Sequence, residues 1–256
     1  MLSKNKRQSA ARNLKYKAAA ERVQQINAAY DFVFVKGISL LRKKIYAITE
    51  RLLTDVDIIV KSNQYNAFVN NLKASGFSVF SSSSKANETV LTFNGVNIDI
   101  HNTAFNYEAF PFNAFMRLRY MDFIIEYNNN HLLDNDTEFV FIALHSLFSL
   151  MRRPYWAEDV IRLSSRVNTR IVDKYFRELG FGNAFSRIVR IAGEPRSRQL
   201  ACARYLLANA DSRLFFMQKF ISQSKNILEG KGYNHRLSYI IKLVNDLRKP
   251  TPVPKI

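Results

Sequence analysis

Apolar and polar positions change their spacing near residue 104, and the change divides the chain. Before it, short apolar runs alternate with amphipathic stretches. Phe32-Val33-Phe34-Val35 is an unbroken apolar run, which predicts a strand covered on both faces. It ends at Lys36-Gly37. Residues 38–53 follow with helical spacing and carry Arg42, Lys43 and Lys44, and Asp55 to Val60 predicts a second strand. Ser62 is a good N-cap for a helix in which Tyr65, Phe68, Val69 and Leu72 share one face, and Gly76 stands where that helix should end. Phe77 to Phe80 predicts a third strand and Ser81 to Ser84 a polar turn. Thr89–Phe93 and Val96–His101 then flank Asn94-Gly95, a pair suited to the positive φ angles of a tight hairpin.

Past residue 104 the spacing is helical. Helices are predicted near 112–124, 136–151, 155–166, 169–179, 183–192, 196–208, 211–228 and 233–247. Three prolines in residues 249–256 predict an extended tail. At the other end, residues 1–29 read as a helix or arm in which Lys4, Lys6, Arg7, Arg12, Lys15, Lys17 and Arg22 face only Glu21. Phosphate contact and a plain solvated face both account for that bias. The expected fold class is α+β: a small mixed β-sheet domain over 30–103 with flanking helices, then an all-helical C-terminal unit over 104–248.

Charge narrows the range of partners. Lys and Arg total 38 against 21 Asp and Glu, a net charge of +17. Such a surplus points to a polyanion, with nucleic acid ahead of a membrane surface. A single cysteine, Cys202, excludes an internal disulfide and a cysteine-built zinc cage and fits a reducing compartment. No apolar run nears the roughly 20 residues that span a bilayer. A cytoplasmic protein without a membrane partner is expected, and its oligomeric state is left open.

The candidate chemistry lies in the first half. Asp55 and Asp57 are two apart on a predicted strand, so their carboxylates share a face. Like charges so placed repel unless a cation lies between them. Magnesium, or manganese in its place, suits such oxygen ligands together with substrate phosphates. Asp99 falls on the polar side of the hairpin arm, since Val96, Ile98 and Ile100 take the other side. Three carboxylates match what two-metal chemistry requires. Between the first strand and the next helix, Lys36-Gly37-Ile38-Ser39 offers a bare glycine and a helix N-terminus to a phosphate.

These residues resemble the polymerase-β-like nucleotidyltransferase superfamily, whose pattern is a Gly-Ser turn, an Asp-x-Asp pair and a later Asp. They are most similar to the branch with a Lys-Gly turn and an Arg four residues before the pair, here Lys36-Gly37 and Arg51 ahead of Asp55-Val56-Asp57. Gly76-Phe77, and more weakly His145 and Trp156 with Asp159, extend the likeness. One departure is that Ile38 separates Gly37 from Ser39.

The resemblance implies that Asp55, Asp57 and Asp99 are catalytic and hold the metal ions. It also implies that Lys36, Gly37, Ser39 and Arg51 bind the NTP. The reaction implied is transfer of an NMP from an NTP to a hydroxyl, releasing pyrophosphate. With the net charge, RNA is the expected acceptor, in particular a tRNA 3′ end. Arg152, Arg153, Arg187, Arg190, Arg196 and Arg198 are the expected nucleic-acid contacts. A hydroxyl on a protein, or a non-catalytic nucleic-acid-binding or structural role on the same fold, are the alternatives. No Ser–His–acid triad, Walker loop or metalloprotease motif is present.

Overall fold

A computed structural model describes residues 4–83, 88–103, 131–195 and 198–208. It divides into two units, residues 1–141 and 142–256. The first holds a five-stranded mixed sheet made of β1 (Phe32–Val35), β2 (Val56–Val60), β3 (Ser78–Ser83), β4 (Glu88–Phe93) and β5 (Val96–His101), in the order β1-β2-β5-β4-β3. β2 runs antiparallel to β1 and parallel to β5. Asn94 and Gly95 turn β4 into β5 with φ of 51° and 68°, as the hairpin signal required.

The apolar runs explain the layering. Every residue of β1 and β2 is buried, whereas β5 alternates between buried Val96, Ile98 and Ile100 and the partly exposed Asn97, Asp99 and His101. One face of the sheet carries Phe32, Phe34, Ile58, Val60, Ile98 and Ile100. It forms a single core with Tyr16, Ala20 and Val23 of α1 (Lys4–Ile26) and Phe68 and Leu72 of α3 (Tyr65–Ala74). Each large side chain buried there contributes about 1.5–3 kcal/mol. Phe32 meets Phe34 and Phe68 edge-on at 5.3 and 5.1 Å. The basic N-terminal segment is therefore a packed layer of this unit and does not stand apart as an arm.

Three expectations are corrected in detail. The helix read over 38–53 is only α2 (Lys36–Arg42). Lys44 takes a φ of +57°, a left-handed turn that helical spacing does not reveal, and residues 43–54 form a loop. Ser62 caps no helix, because α3 starts later and the Ser62 hydroxyl donates to the Asn102 carbonyl at 3.1 Å. Ser81 to Ser83 are strand, paired with Val90, Thr89 and Glu88. Their polarity suits a strand at the edge of a sheet.

α4 (Asn135–Phe148) crosses the boundary between the units, and the second unit continues with α5 (Pro154–Ser164), α6 (Thr169–Glu178), α7 (Phe185–Gly193) and α8 (Arg198–Ala208). Pro154 opens α5 where its missing N–H does no harm, and Asn168 caps α6 by accepting from the Arg170 amide at 3.1 Å. Val160, Leu163, Val172, Phe176, Ile188 and Leu206 are fully buried along these helices. The helices expected at 112–124, 211–228 and 233–247, and the tail at 249–256, lie outside the described residues. No helix among the described residues is long and apolar enough to cross a membrane.

Candidate active site

The second face of the sheet holds the carboxylates. Asp57 stands opposite Asp99 in the parallel β2–β5 register, and opposite Val35 in the antiparallel β1–β2 register. Paired positions send side chains to the same face, so Asp57 and Asp99 share it. Asp55 is two residues earlier, just before β2, and belongs to the same side. The parity that buries Ile58 and Ile98 in the helix-covered core leaves these acids on the other surface.

Charge at this face is unevenly compensated. Asp57 is only 4% exposed, and the Lys36 ammonium donates to its Oδ1 at 2.5 Å. Nε2 of His101 lies 3.9 Å from the same oxygen. Burial alone would push the Asp57 carboxyl up, but Lys36, and after it His101, hold it well below the usual carboxylate range. Its neighbours lack such a partner. Asp55 is pushed up to about 6 by burial and then by the charge of Asp57, with Lys36 and Thr54 only partly opposing. Asp99 is pushed up to about 7 by burial, then by Asp57 and Asp55. The three acids act as one electrostatic cluster with more negative charge than Lys36 can balance.

Lys36 owes its position to an abrupt change of direction. β1 ends at Val35 and α2 starts at the next residue, with Lys36 itself at φ +57°. A left-handed backbone at a non-glycine residue costs about 1 kcal/mol. Gly37 follows, and its lack of a side chain matters. A Cβ there would run into the Arg51 guanidinium and come within 2.8 Å of Leu53 Cδ2. The bare glycine thus lets Arg51, from the loop before Asp55, lie over the start of α2. The structure brings together Lys36, Gly37, Arg51, Asp55, Asp57 and Asp99.

Ser39 is not among them. It is fully buried, and its hydroxyl donates to Glu138 Oε2 at 2.8 Å. The expected triphosphate contact does not fit that placement; the inserted Ile38 turns Ser39 inward along α2. Of the basic candidates of the second unit, Arg152 and Arg153 come just before α5, Arg187 and Arg190 share α7, and Arg198 opens α8. Arg152, Arg153, Arg187 and Arg190 are exposed, Arg198 is partly buried, and Arg196 lies outside the described residues. The Arg153 guanidinium sits 5.8 Å from the Tyr155 ring centroid and 5.5 Å from that of Trp156. Trp156 also meets His145 edge-on at 5.3 Å, so His145 packs against an aromatic ring.

Two features escaped the sequence reading. Asn13 of α1 is fully buried and donates to the carbonyls of Ile48 and Arg51 at 2.7 and 2.6 Å, while its Oδ1 accepts from the Leu53 amide at 3.0 Å. One turn on, the Tyr16 hydroxyl donates to the Thr54 carbonyl at 2.9 Å. The loop that delivers Arg51 and Asp55 is shaped by these two side chains. The second feature is the buried ion pair of Lys43 with Glu138. An acid placed directly ahead of the apolar run Phe139-Val140-Phe141 was its only trace in the sequence.

The donor set suits a hard divalent cation: three carboxylates on one face, two of them short of positive charge and one already matched by an ammonium. Among the described residues, no three acidic or histidine side chains close around a common point. At Asp57 the Lys36 ammonium fills the cation's role.

A family model described as uncharacterised nucleotidyltransferase matches residues 1–195. The chain belongs to this family. The match takes in the whole sheet, the strands that carry the carboxylates and the helices as far as α7. No curated protein matches the chain.

Proposed function

We propose that this nucleotidyltransferase moves a nucleoside monophosphate from an NTP to a hydroxyl of RNA, releasing pyrophosphate, with a tRNA 3′ end as the favoured acceptor. The observation that carries the proposal is the direct pairing of Asp57 with Asp99 across β2 and β5, with Asp55 two positions upstream. Asp55, Asp57 and Asp99 would hold divalent ions, which supply charge neutralisation at the triphosphate and lower the pKa of the attacking hydroxyl. Lys36 and Arg51 add positive charge beside the carboxylates. Gly37 keeps the start of α2 open enough for Arg51 to lie there. Such a set works mainly by positioning and by opposing charge as it develops.

RNA is favoured by the net charge of +17 and by exposed cations on both units: Lys6, Arg7, Lys15 and Arg22 along α1, and Arg152, Arg153, Arg187 and Arg190 in the helical unit. Tyr155 and Trp156 beside Arg153 offer ring faces on which bases stack. The test is incubation of the purified protein with each radiolabelled NTP, magnesium and total RNA, beside Asp55→Asn and Asp57→Asn controls. Label in RNA with the native chain and near-complete loss in both controls is the expected result. Equal label from native and control proteins overturns the catalytic assignment, and label in protein moves the acceptor from RNA to a polypeptide hydroxyl.

A further inference from the structure

We infer that Lys36 is an internal counter-ion which a divalent metal ion must displace from Asp57, and that the incoming nucleoside triphosphate draws it away, so that metal and nucleotide bind cooperatively. The inference rests on Asp55, Asp57 and Asp99 being the metal-holding carboxylates.

Asp57 Oδ1 already accepts from the Lys36 ammonium at hydrogen-bond distance, and His101 approaches the same atom. A cation binding at Oδ1 must therefore push a positive group off a nearly buried oxygen. An ammonium expelled from a buried pair without a new partner is penalised, so metal alone meets an opposing term. A triphosphate changes the balance. It brings several negative charges to the start of α2, where Lys36 is the first residue and its side chain remains 23% exposed. The ammonium can then exchange one anionic partner for another, and Oδ1 is freed for the metal.

Lys36 also has a short path to make the change. Its backbone is fixed by the strand-to-helix switch, so the exchange needs only rotation of a flexible side chain. A more deeply buried lysine–carboxylate pair of this unit, Lys43 with Glu138, has side chains 10% and 0% exposed and no comparable opening. Asp55 and Asp99 stay partly exposed and short of positive charge, which leaves room for an ion once Asp57 is released.

The experiment measures Mn²⁺ affinity by loss of the free-ion EPR signal. Non-hydrolysable α,β-methylene analogues of the four NTPs are absent or saturating, with metal–analogue complexation in solution subtracted. Native protein, Lys36→Met and Lys36→Arg are compared. The native chain should bind Mn²⁺ about tenfold tighter with an analogue than without, in the ordinary range of coupling between two sites. Lys36→Met should bind Mn²⁺ alone about tenfold tighter than native and lose the coupling. Lys36→Arg keeps a cation at the carboxylate and should keep the weak metal-only affinity.

Melting curves guard against a variant that folds poorly. Lys36→Met takes the ammonium from Asp57 and leaves it only the more distant His101, so Mn²⁺ should raise its melting temperature more than that of the native chain. Equal metal-only affinity in native and Lys36→Met overturns the counter-ion role while leaving the metal site intact. Absence of Mn²⁺ binding in every protein, with or without analogue, instead removes the metal site and this inference with it.

Discussion

Among the described residues of the first unit, two lysine–carboxylate pairs are largely buried, Lys36–Asp57 and Lys43–Glu138, and they behave in opposite ways. Asp57 is held ionised, because its lysine overcomes the penalty of burial. Glu138 is pushed upward, because burial wins against Lys43 and Ser39 together. Surroundings decide the outcome. Asp57 lies on a face shared with two other acids and a half-open lysine, whereas Glu138 is sealed, with its Oε1 lacking a hydrogen-bond partner among the described residues. A pair on an open, acid-rich face is an exchangeable ligand set. A sealed pair is a staple between α2 and α4.

The largest effect that separates the two is catalytic. Asp57→Asn keeps the size of the side chain and removes its charge. Nucleotide incorporation should fall by about 10²–10³-fold, as when one group that opposes developing charge is lost. Measured by label transfer, a loss below about tenfold would place Asp57 with the staple. Next comes stability. Lys43→Met strands Glu138 in a sealed site and should cost about 3–5 kcal/mol in urea unfolding, with no recovery on adding magnesium. Rescue by magnesium would show that this second pair also opens to ions.

A smaller effect is expected at the glycine turn. Gly37→Ala forces the Arg51 guanidinium off the start of α2. Loss of one charge-assisted contact, about 1.5 kcal/mol, should raise KM for the NTP roughly tenfold with little change in melting temperature. The smallest effect is pH dependence in the presence of EDTA. Asp55 and Asp99 take up protons more readily when folded, with values of about 6 and 7 against an ordinary 3.8. The folded state therefore holds more protons than the unfolded chain, and stability declines as pH rises from about 4 to about 7. Glu138 acts in the same direction. Asp57 acts oppositely, but only below its ordinary range. A drop on the order of 5 °C is expected by differential scanning fluorimetry. Magnesium should cancel the share of Asp55 and Asp99 and leave that of Glu138, and Asp99→Asn should flatten the slope.

The sheet was legible because its signals are local. Period-two alternation placed Asp99 opposite to Ile98, and Asn94-Gly95 marked its hairpin. Parity along Asp55-Val56-Asp57 put two acids on one side without any knowledge of neighbouring strands. Only the register of β2 against β5, whose paired residues lie some forty positions apart in the chain, had to come from the fold. What stayed hidden depended on distant partners. The α2 helix stopped early because Lys44 turns left-handed while Asn13 and Tyr16, far upstream, hold the following loop. Ser39 read as a phosphate ligand from its place in a turn, yet its partner Glu138 lies 99 residues away. Polar side chains spent on remote backbone or on one another leave no periodic trace.

The grip of Asn13 on residues 48–53 has a consequence for how the chain is made. During synthesis the first helix emerges well before the segment it will clasp, since Asn13 and Leu53 are separated by 40 residues. Until that segment appears, a buried amide has nothing to hold and the helix has no sheet to cover. Maturation of the acidic face therefore waits on a long-range closure that starts at the N-terminal end. Peptides grafted inside the first helix should delay that closure, whereas insertions at the exposed tip of the Asn94-Gly95 hairpin should not.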